Sequence, residues 1–345
     1  RDDATGFDPG VWREMVDMGW AGIAIPEAFG GLGFGYTGLG LVLEQAGRNL
    51  SATPLQATVL AAATVIAELA SDAQQAELLA PIAGGEQLFS LAIQEAAHHA
   101  PERIALSAER DGDDYVLTGS KLLVQDAASA DAFIVIARSS GAAGSTDGLS
   151  AFVVPAGAPG LVVERRSLVD SRSSGALVLE GVRVPASRRL GEDGKAWAGL
   201  ERALDIIVIG QSAELLGIAS EAFERSVAYL KERRQFGRAI GSFQGLQHRA
   251  AELFAELELG RSIVLKALMA VDSGDEGLPG LASAAKAKLC EIAERATNEA
   301  IQMHGGIGMT DEHEIGFFIK RARVVQHCFG DYNYHLDRFA RLSGY

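Results

Sequence analysis

Cysteine is nearly missing from this chain of 345 residues: Cys290 and Cys328 are the only two. Two cysteines cannot staple a chain of this length, so a reducing compartment is expected. Positive charge is scarce as well, with 31 Lys and Arg against 45 Asp and Glu, a net charge of −14. Such a chain has no general field for phosphates, which excludes broad nucleic-acid binding. No uninterrupted apolar run reaches the roughly 18 residues that cross a bilayer, so no membrane partner is expected. An initiating Met is absent too. The chain begins at Arg1, and a native N-terminus with any targeting segment is expected to lie beyond it. What is present is apolar surface, 48% of the residues, with 40 glycines and only 9 prolines. That is enough to offset the entropy of folding, which excludes a disordered chain. The expectation is a soluble cytoplasmic protein of two or three structural units.

The chain divides into three blocks by pattern. Residues 1–88 read as helical. Trp12, Met15 and Val16 begin an apolar stripe that the Gly-rich stretch Pro26 to Gly35 breaks. Helices are expected over Leu39 to Leu50, Thr53 to Ala70, and Asp72 to Leu79 with Asp72 as N-cap. Residues 89–190 carry short β-branched runs at Tyr115 to Thr118, Phe133 to Ala137, Leu149 to Val154, Leu161 to Glu164 and Ala176 to Val184. Asp111 to Asp114 and Ser139 to Gly148 read as hairpin loops between them. With no long intervening helix and no Gly-rich phosphate loop after a strand, this is an antiparallel β domain rather than a nucleotide-binding βαβ unit. Residues 191–345 return to helical spacing, with Leu216, Ala219, Phe223, Val227 and Leu230 on one face. Further helices are expected over Phe243 to Ser273, Leu281 to His304 and Asp311 to Val325, the last capped by Thr310. Their nearly continuous apolar faces suit a four-helix bundle that also meets neighbouring subunits. The fold class is α+β.

Two features could carry chemistry. Lys231, Arg233, Arg234, Arg238 and Arg249 oppose only Glu232, a local excess of positive charge where Tyr229 to Gly237 closes a helix and Phe243 to Gln247 opens the next. Capture of a phosphate-bearing small molecule needs such a patch. Cations complementing a helix C-terminus account for it equally well. The second feature is the run Gln302 to Thr310, where Gly305, Gly306 and Gly308 would let backbone amides approach a ligand. A helix stop and tight corner also explain it. The histidines lack metal-ligand spacing, so no metal site is expected.

The order of these parts, with RRQFG followed by FQ and then QMHGGIGMT, resembles the acyl-CoA dehydrogenases over nearly the whole chain. Lys121 to Arg138 is similar to the family's segment beside the flavin, and Pro26 to Gly35 to its N-terminal Gly-rich stretch. The resemblance implies an N-terminal helical domain at 1–88, a middle antiparallel β-barrel or sandwich at 89–190 and a C-terminal four-helix bundle at 191–345. It also implies FAD, an acyl-CoA substrate and α,β-desaturation, with a carboxylate taking the α-proton and electrons passing on to an electron-transferring flavoprotein. By the same resemblance Arg233 would meet the FAD pyrophosphate, Phe236 and Gln244 would line the adenine side, and Gln302, Gly305 and Gly306 would receive the ADP portion. These contacts reach a neighbouring subunit's FAD in the family.

The departures fall on this chain's own pocket. Phe329 stands where the family's catalytic Glu precedes Gly, and the other family position for the base falls near Ile207, so no catalytic residue is assigned. The family's CoA-contacting Arg is replaced near Val208. The flavin-side loop reads Gln94 to His99 in place of Thr-Glu-Pro…Gly-Ser-Asp, and Leu123-Val124-Gln125 replaces an aromatic, aliphatic, Thr segment. Asp331 brings an anion toward a site that should welcome phosphate. The leading expectation is a non-catalytic partner subunit that completes the FAD site of a paralogous acyl-CoA dehydrogenase subunit in a heterotetramer. Two alternatives stand: a self-sufficient homotetramer with Asp331 or Asp205 as a relocated base, and a structural or ligand-sensing member without redox chemistry.

Overall fold

Residues 5–345 are described by a computed structural model. Helices come first: α1 (Pro9–Asp17), α2 (Gly35–Arg48), a π-helix (Leu55–Ala62) that runs into α3 (Ala63–Leu69), and α4 (Asp72–Ala83). The cap of α4 is Ser71, not Asp72. Its hydroxyl accepts from Gln74 N while the Gln74 side chain reaches back to Ser71 N, so the box is complete one residue earlier than expected.

The strands follow as β1 (Phe89–Ala92), β2 (Ser107–Asp111), β3 (Asp114–Gln125), β4 (Ala132–Arg138), β5 (Leu149–Pro155), β6 (Leu161–Ser167), β7 (Ser173–Pro185) and β8 (Arg189–Leu190). The order is β6-β7-β3-β2-β4-β5-β8, with β1 also on β4. Most pairs are antiparallel, but β1 runs parallel to β4. β2 joins β4 through the single pair Ser107 and Arg138. That seam divides the sheet into two halves, and Tyr115 of β3 meets Phe152 of β5 at 4.9 Å between ring centroids. Leu117, Phe133, Val135, Val154, Leu177 and Leu179 fill the rest of this core. Each such side chain contributes about 1.5–3 kcal/mol by leaving water. β1 and β2 escape sequence patterning for plain reasons: β1 is four residues long, and β2 buries only Ala108.

The third group is α5 (Trp197–Glu232), a short hairpin of β9 (Arg234–Gln235) and β10 (Arg238–Ala239), α6 (Gln244–Ser273), α7 (Leu278–His304), α8 (Ile315–His327) and α9 (Tyr332–Leu342). An 18-residue window of α5 has a mean hydropathy of 1.5, long and apolar enough to cross a membrane, yet it is wholly buried in protein. The sequence conceals this because the apolar run is interrupted. α8 starts later than expected. Thr310 does not cap it; its hydroxyl donates to Ile307 O, and residues 305–309 form a 3-10 turn.

By backbone proximity the chain forms two units: residues up to Leu39 with Ala52–Ile207, and Gly40–Ser51 with Val208–Tyr345. Within the second, α2 crosses α5 through glycine. A Cβ at Gly217 would overlap the carbonyl of Glu44, and one at Gly47 would overlap that of Glu214. Close helix contact here needs residues without side chains.

Candidate functional site

In the second unit, α5 ends at Glu232 and the chain reverses at once. Arg234 pairs with Ala239 and Gln235 with Arg238, so Phe236 and Gly237 form a two-residue turn. Their φ angles of +52° and +79° are the left-handed pair of a type I′ hairpin. Phe236 takes this strained conformation with its ring 90% exposed, braced only at the edge by Phe243 at 6.1 Å. Arg238 covers the Phe243 ring at 4.1 Å. The backbone N–H of Arg233 bonds Tyr229 O and its carbonyl receives Ile240 N–H, both at 2.8 Å, closing the base of the hairpin.

The expected basic patch is therefore a hairpin end rather than a simple helix end. Arg249 leaves the patch, because its Nη2 lies 2.5 Å from Glu299. Lys231, Arg233 and Arg234 are exposed and, among the described residues, have no carboxylate partner. Gln244 is the exposed first residue of α6.

Gln302 lies exposed in the last turn of α7. Its carbonyl, with that of Ile301, receives the N–H of Gly305. Gly305 has φ +66° and ψ −142°, a conformation essentially reserved for glycine. A Cβ at Gly305 or Gly306 would meet nothing within 4 Å, so both backbones face open space. The end of α7 comes to the end of α5 through Tyr229 and His304, whose rings stack at 4.5 Å and 29°. Sequence reasoning missed this contact, although the His immediately before the double glycine was visible. Glycine backbone open to close approach, cations without a carboxylate partner among the described residues and an exposed ring make a surface that fits the ADP half of FAD.

The elbow between α8 and α9 is built in the opposite way. Phe329 has φ +53° and Gly330 φ +101°. His335 Nε2 donates to Phe329 O at 3.0 Å. Asp331 does not project as a free anion: it N-caps α9, its Oδ1 accepting from Tyr334 N at 2.9 Å. Beneath the elbow lies Lys286, fully buried on the apolar stripe of α7. Its Nζ donates to Gln211 Oε1 at 2.7 Å, Val325 O at 2.6 Å and Cys328 O at 3.0 Å. Burial drives its pKa below the usual lysine range. Arg321 makes a buried two-pronged bond to Glu214, at 2.7 and 3.0 Å. A lysine spaced with Ala282, Leu289 and Ala293 on a buried face was the sequence signal for this network.

In the first unit, Ile207 is fully buried and Asp205 nearly so. In the segment Gln94 to His99, expected beside the flavin, Ala96, Ala97 and His98 are exposed while Glu95 is turned inward. Glu95 accepts from Lys121 Nζ at 2.6 Å and from the N–H groups of Ala105 and Leu106 at 2.7 and 3.1 Å. Burial brings Lys121 down to about 8 against the opposing pull of Glu95. Between Lys121 and Val124 the β3–β7 register shifts, and Leu123 takes φ +52° with its side chain half exposed. Leu123 stands at the position where the resemblance expects an aromatic residue, and Gln125 at that of the Thr.

Residues 1–86, 98–182 and 197–343 match the acyl-CoA dehydrogenase N-terminal, middle and C-terminal domains respectively. Probable acyl-CoA dehydrogenase YngJ of Bacillus subtilis (strain 168) is 33% identical over 333 residues, covering 94% of this chain and 87% of that protein. Among solved structures, a variant of the Tcur3481-Tcur3483 steroid ACAD superposes with a TM-score of 0.89 at 31% identity, covering 99% of this chain and 90% of that one. The ChsE4-ChsE5 complex from Mycobacterium tuberculosis gives a TM-score of 0.87 at 27% identity, covering 98% and 89%. This chain belongs to the acyl-CoA dehydrogenase family, FAD-dependent flavoprotein oxidoreductases that dehydrogenate acyl-CoA thioesters.

Proposed function

We propose that this chain is the partner subunit of a heteromeric acyl-CoA dehydrogenase, completing the FAD site of a catalytic paralogue while its own pocket lacks a base. One contrast carries the reading: the hairpin and double-glycine turn are exposed, with Lys231, Arg233 and Arg234 lacking a carboxylate partner among the described residues, whereas of the family's two base positions one holds Phe329 and the other falls near Ile207, in the apolar run Ile206 to Ile209. Neither a phenyl ring nor an alkyl chain accepts a proton. Asp331, a candidate relocated base, is engaged as a helix cap.

In this reading Arg233 would reach the FAD pyrophosphate, Phe236 and Gln244 would line the adenine, and Gln302, Gly305 and Gly306 would receive the rest of the ADP half. The cofactor, when bound, supplies the hydride acceptor for α,β-desaturation. The carboxylate base would come from the paralogue. Two of the solved relatives support a pairing of this kind, one being the ChsE4-ChsE5 complex and the other the Tcur3481-Tcur3483 steroid ACAD. By the same analogy the substrate is a CoA thioester with a bulky, steroid-like acyl group. The acceptor is an electron-transferring flavoprotein, the location is cytoplasmic, and the domains divide at 1–88, 89–190 and 191–345.

The test is FAD stoichiometry. The chain expressed alone should hold no FAD, and co-expression with its paralogue should give an assembly with fewer FAD molecules than chains. One FAD per subunit in the chain alone, bleached by acyl-CoA, would overturn the proposal.

A further inference from the structure

The FAD-receiving surface is assembled from two helix ends that are distant in sequence. The hairpin leaves α5, and the double-glycine turn leaves α7. The two must keep a fixed spacing if one dinucleotide is to touch both.

The link between them is an imidazole. The His304 ring stacks on Tyr229 on one side and meets His313 at 4.6 Å and 51° on another. It is buried, at 4% exposure. Its Nδ1 lies 2.7 Å from Ala300 O, and a carbonyl only accepts, so Nδ1 carries the proton. His313 has the opposite arrangement: its Nδ1 accepts the N–H of Ile315 at 3.2 Å. One ring is thus held from α5, from its own helix and from the segment that leads into α8. Tyr229 stands one helical turn before Arg233 and bonds it through the backbone. His304 immediately precedes Gly305.

We propose that His304 is a positioning residue for the FAD-receiving surface: its ring, clamped by Tyr229 and His313, sets the spacing between the hairpin and the double-glycine turn. This rests on the partner-subunit reading. The contact that matters is ring on ring, since burial keeps the imidazole neutral. The bond to Ala300 O is dispensable, because that carbonyl also lies within the helical ladder.

The experiment compares FAD dissociation, followed by flavin fluorescence, from the co-expressed assembly carrying His304→Asn, His304→Phe, Tyr229→Leu or Arg233→Ala. His304→Asn keeps polarity but loses the ring, and should weaken FAD binding by about tenfold, the equivalent of about 1.4 kcal/mol. Tyr229→Leu should do the same. His304→Phe restores a ring without the Nδ1 bond and should bind FAD like the unaltered assembly, even where its thermal midpoint falls. Wild-type FAD affinity in His304→Asn, or equal losses in Asn and Phe, would overturn the inference. If His304→Asn fails to assemble, Tyr229→Leu decides by the same criterion. Arg233→Ala separates the two claims: if it leaves FAD binding unchanged the partner-subunit reading falls, and if it alone weakens binding only the role of His304 falls.

Discussion

The hairpin end and the α8–α9 elbow lie in the same structural unit and obey opposite rules. At the hairpin an aromatic ring stands in solvent and three cations lack a carboxylate partner among the described residues, and at the turn beside it Gly305 and Gly306 face space. At the elbow, the carbonyls of Cys328 and Phe329 have fixed donors and the carboxylate of Asp331 caps a helix. The first region leaves its bonding capacity unspent, which is what a surface awaiting a ligand requires. In the second, those two carbonyls and that carboxylate are already engaged by the chain's own donors. Open valence in a folded protein marks where something else belongs.

The sharpest way to break this contrast is inside the self-satisfied network. Arg321→Met would remove the two-pronged donor from the buried Glu214 carboxylate and should cost about 3–5 kcal/mol, read from the urea midpoint. A loss below about 1 kcal/mol would mean that the pair is not the brace its geometry implies. Next in size is the double glycine. Gly305→Ala should cost about 1–3 kcal/mol for its φ alone, although nothing crowds the added methyl. Gly306→Ala has neither strain nor clash and should change the thermal midpoint little. Equal effects at the two positions would show that space, not backbone angle, governs the turn.

A smaller effect should follow pH. Burial holds His304 below the usual imidazole value, with His313 adding to the shift. As pH falls, the unfolded chain takes up this proton first, so the contribution is fully present above about 6.5 and is lost below it, at no more than about 1.4 kcal/mol per pH unit. Urea titrations at neutral and mildly acidic pH should show a slope that His304→Phe reduces. Smallest of all is Phe236→Ser. With its ring in solvent, stability should shift by less than about 0.5 kcal/mol. A larger loss would mean that the edge contact with Phe243 braces the hairpin.

The architecture was largely legible because long helices and a strand-rich middle block write their periods into the sequence. Gln244–Ser273 matches the expected Phe243 to Ser273 within one residue, and Leu278–His304 begins three residues before the expected Leu281. The hairpin was not legible. Phe236 is a poor turn former, so nothing like an Asn-Gly signal announced a reversal after Glu232. The basic patch was visible as composition, but which cations stay unpaired depends on partners far along the chain, as Arg249 and Glu299 show. Asp331 misled for a related reason. An anion's local role is decided by the amide it faces, and the start of α9 supplies one.

Phe329 has one further consequence. The hydrogen bonds that shape its elbow run through Lys286, Asp331 and His335, and the one that reaches residue 329 ends on its backbone carbonyl. A bond to a main-chain carbonyl does not depend on which side chain that residue carries, so the hold of His335 on this elbow is indifferent to the group that faces the pocket.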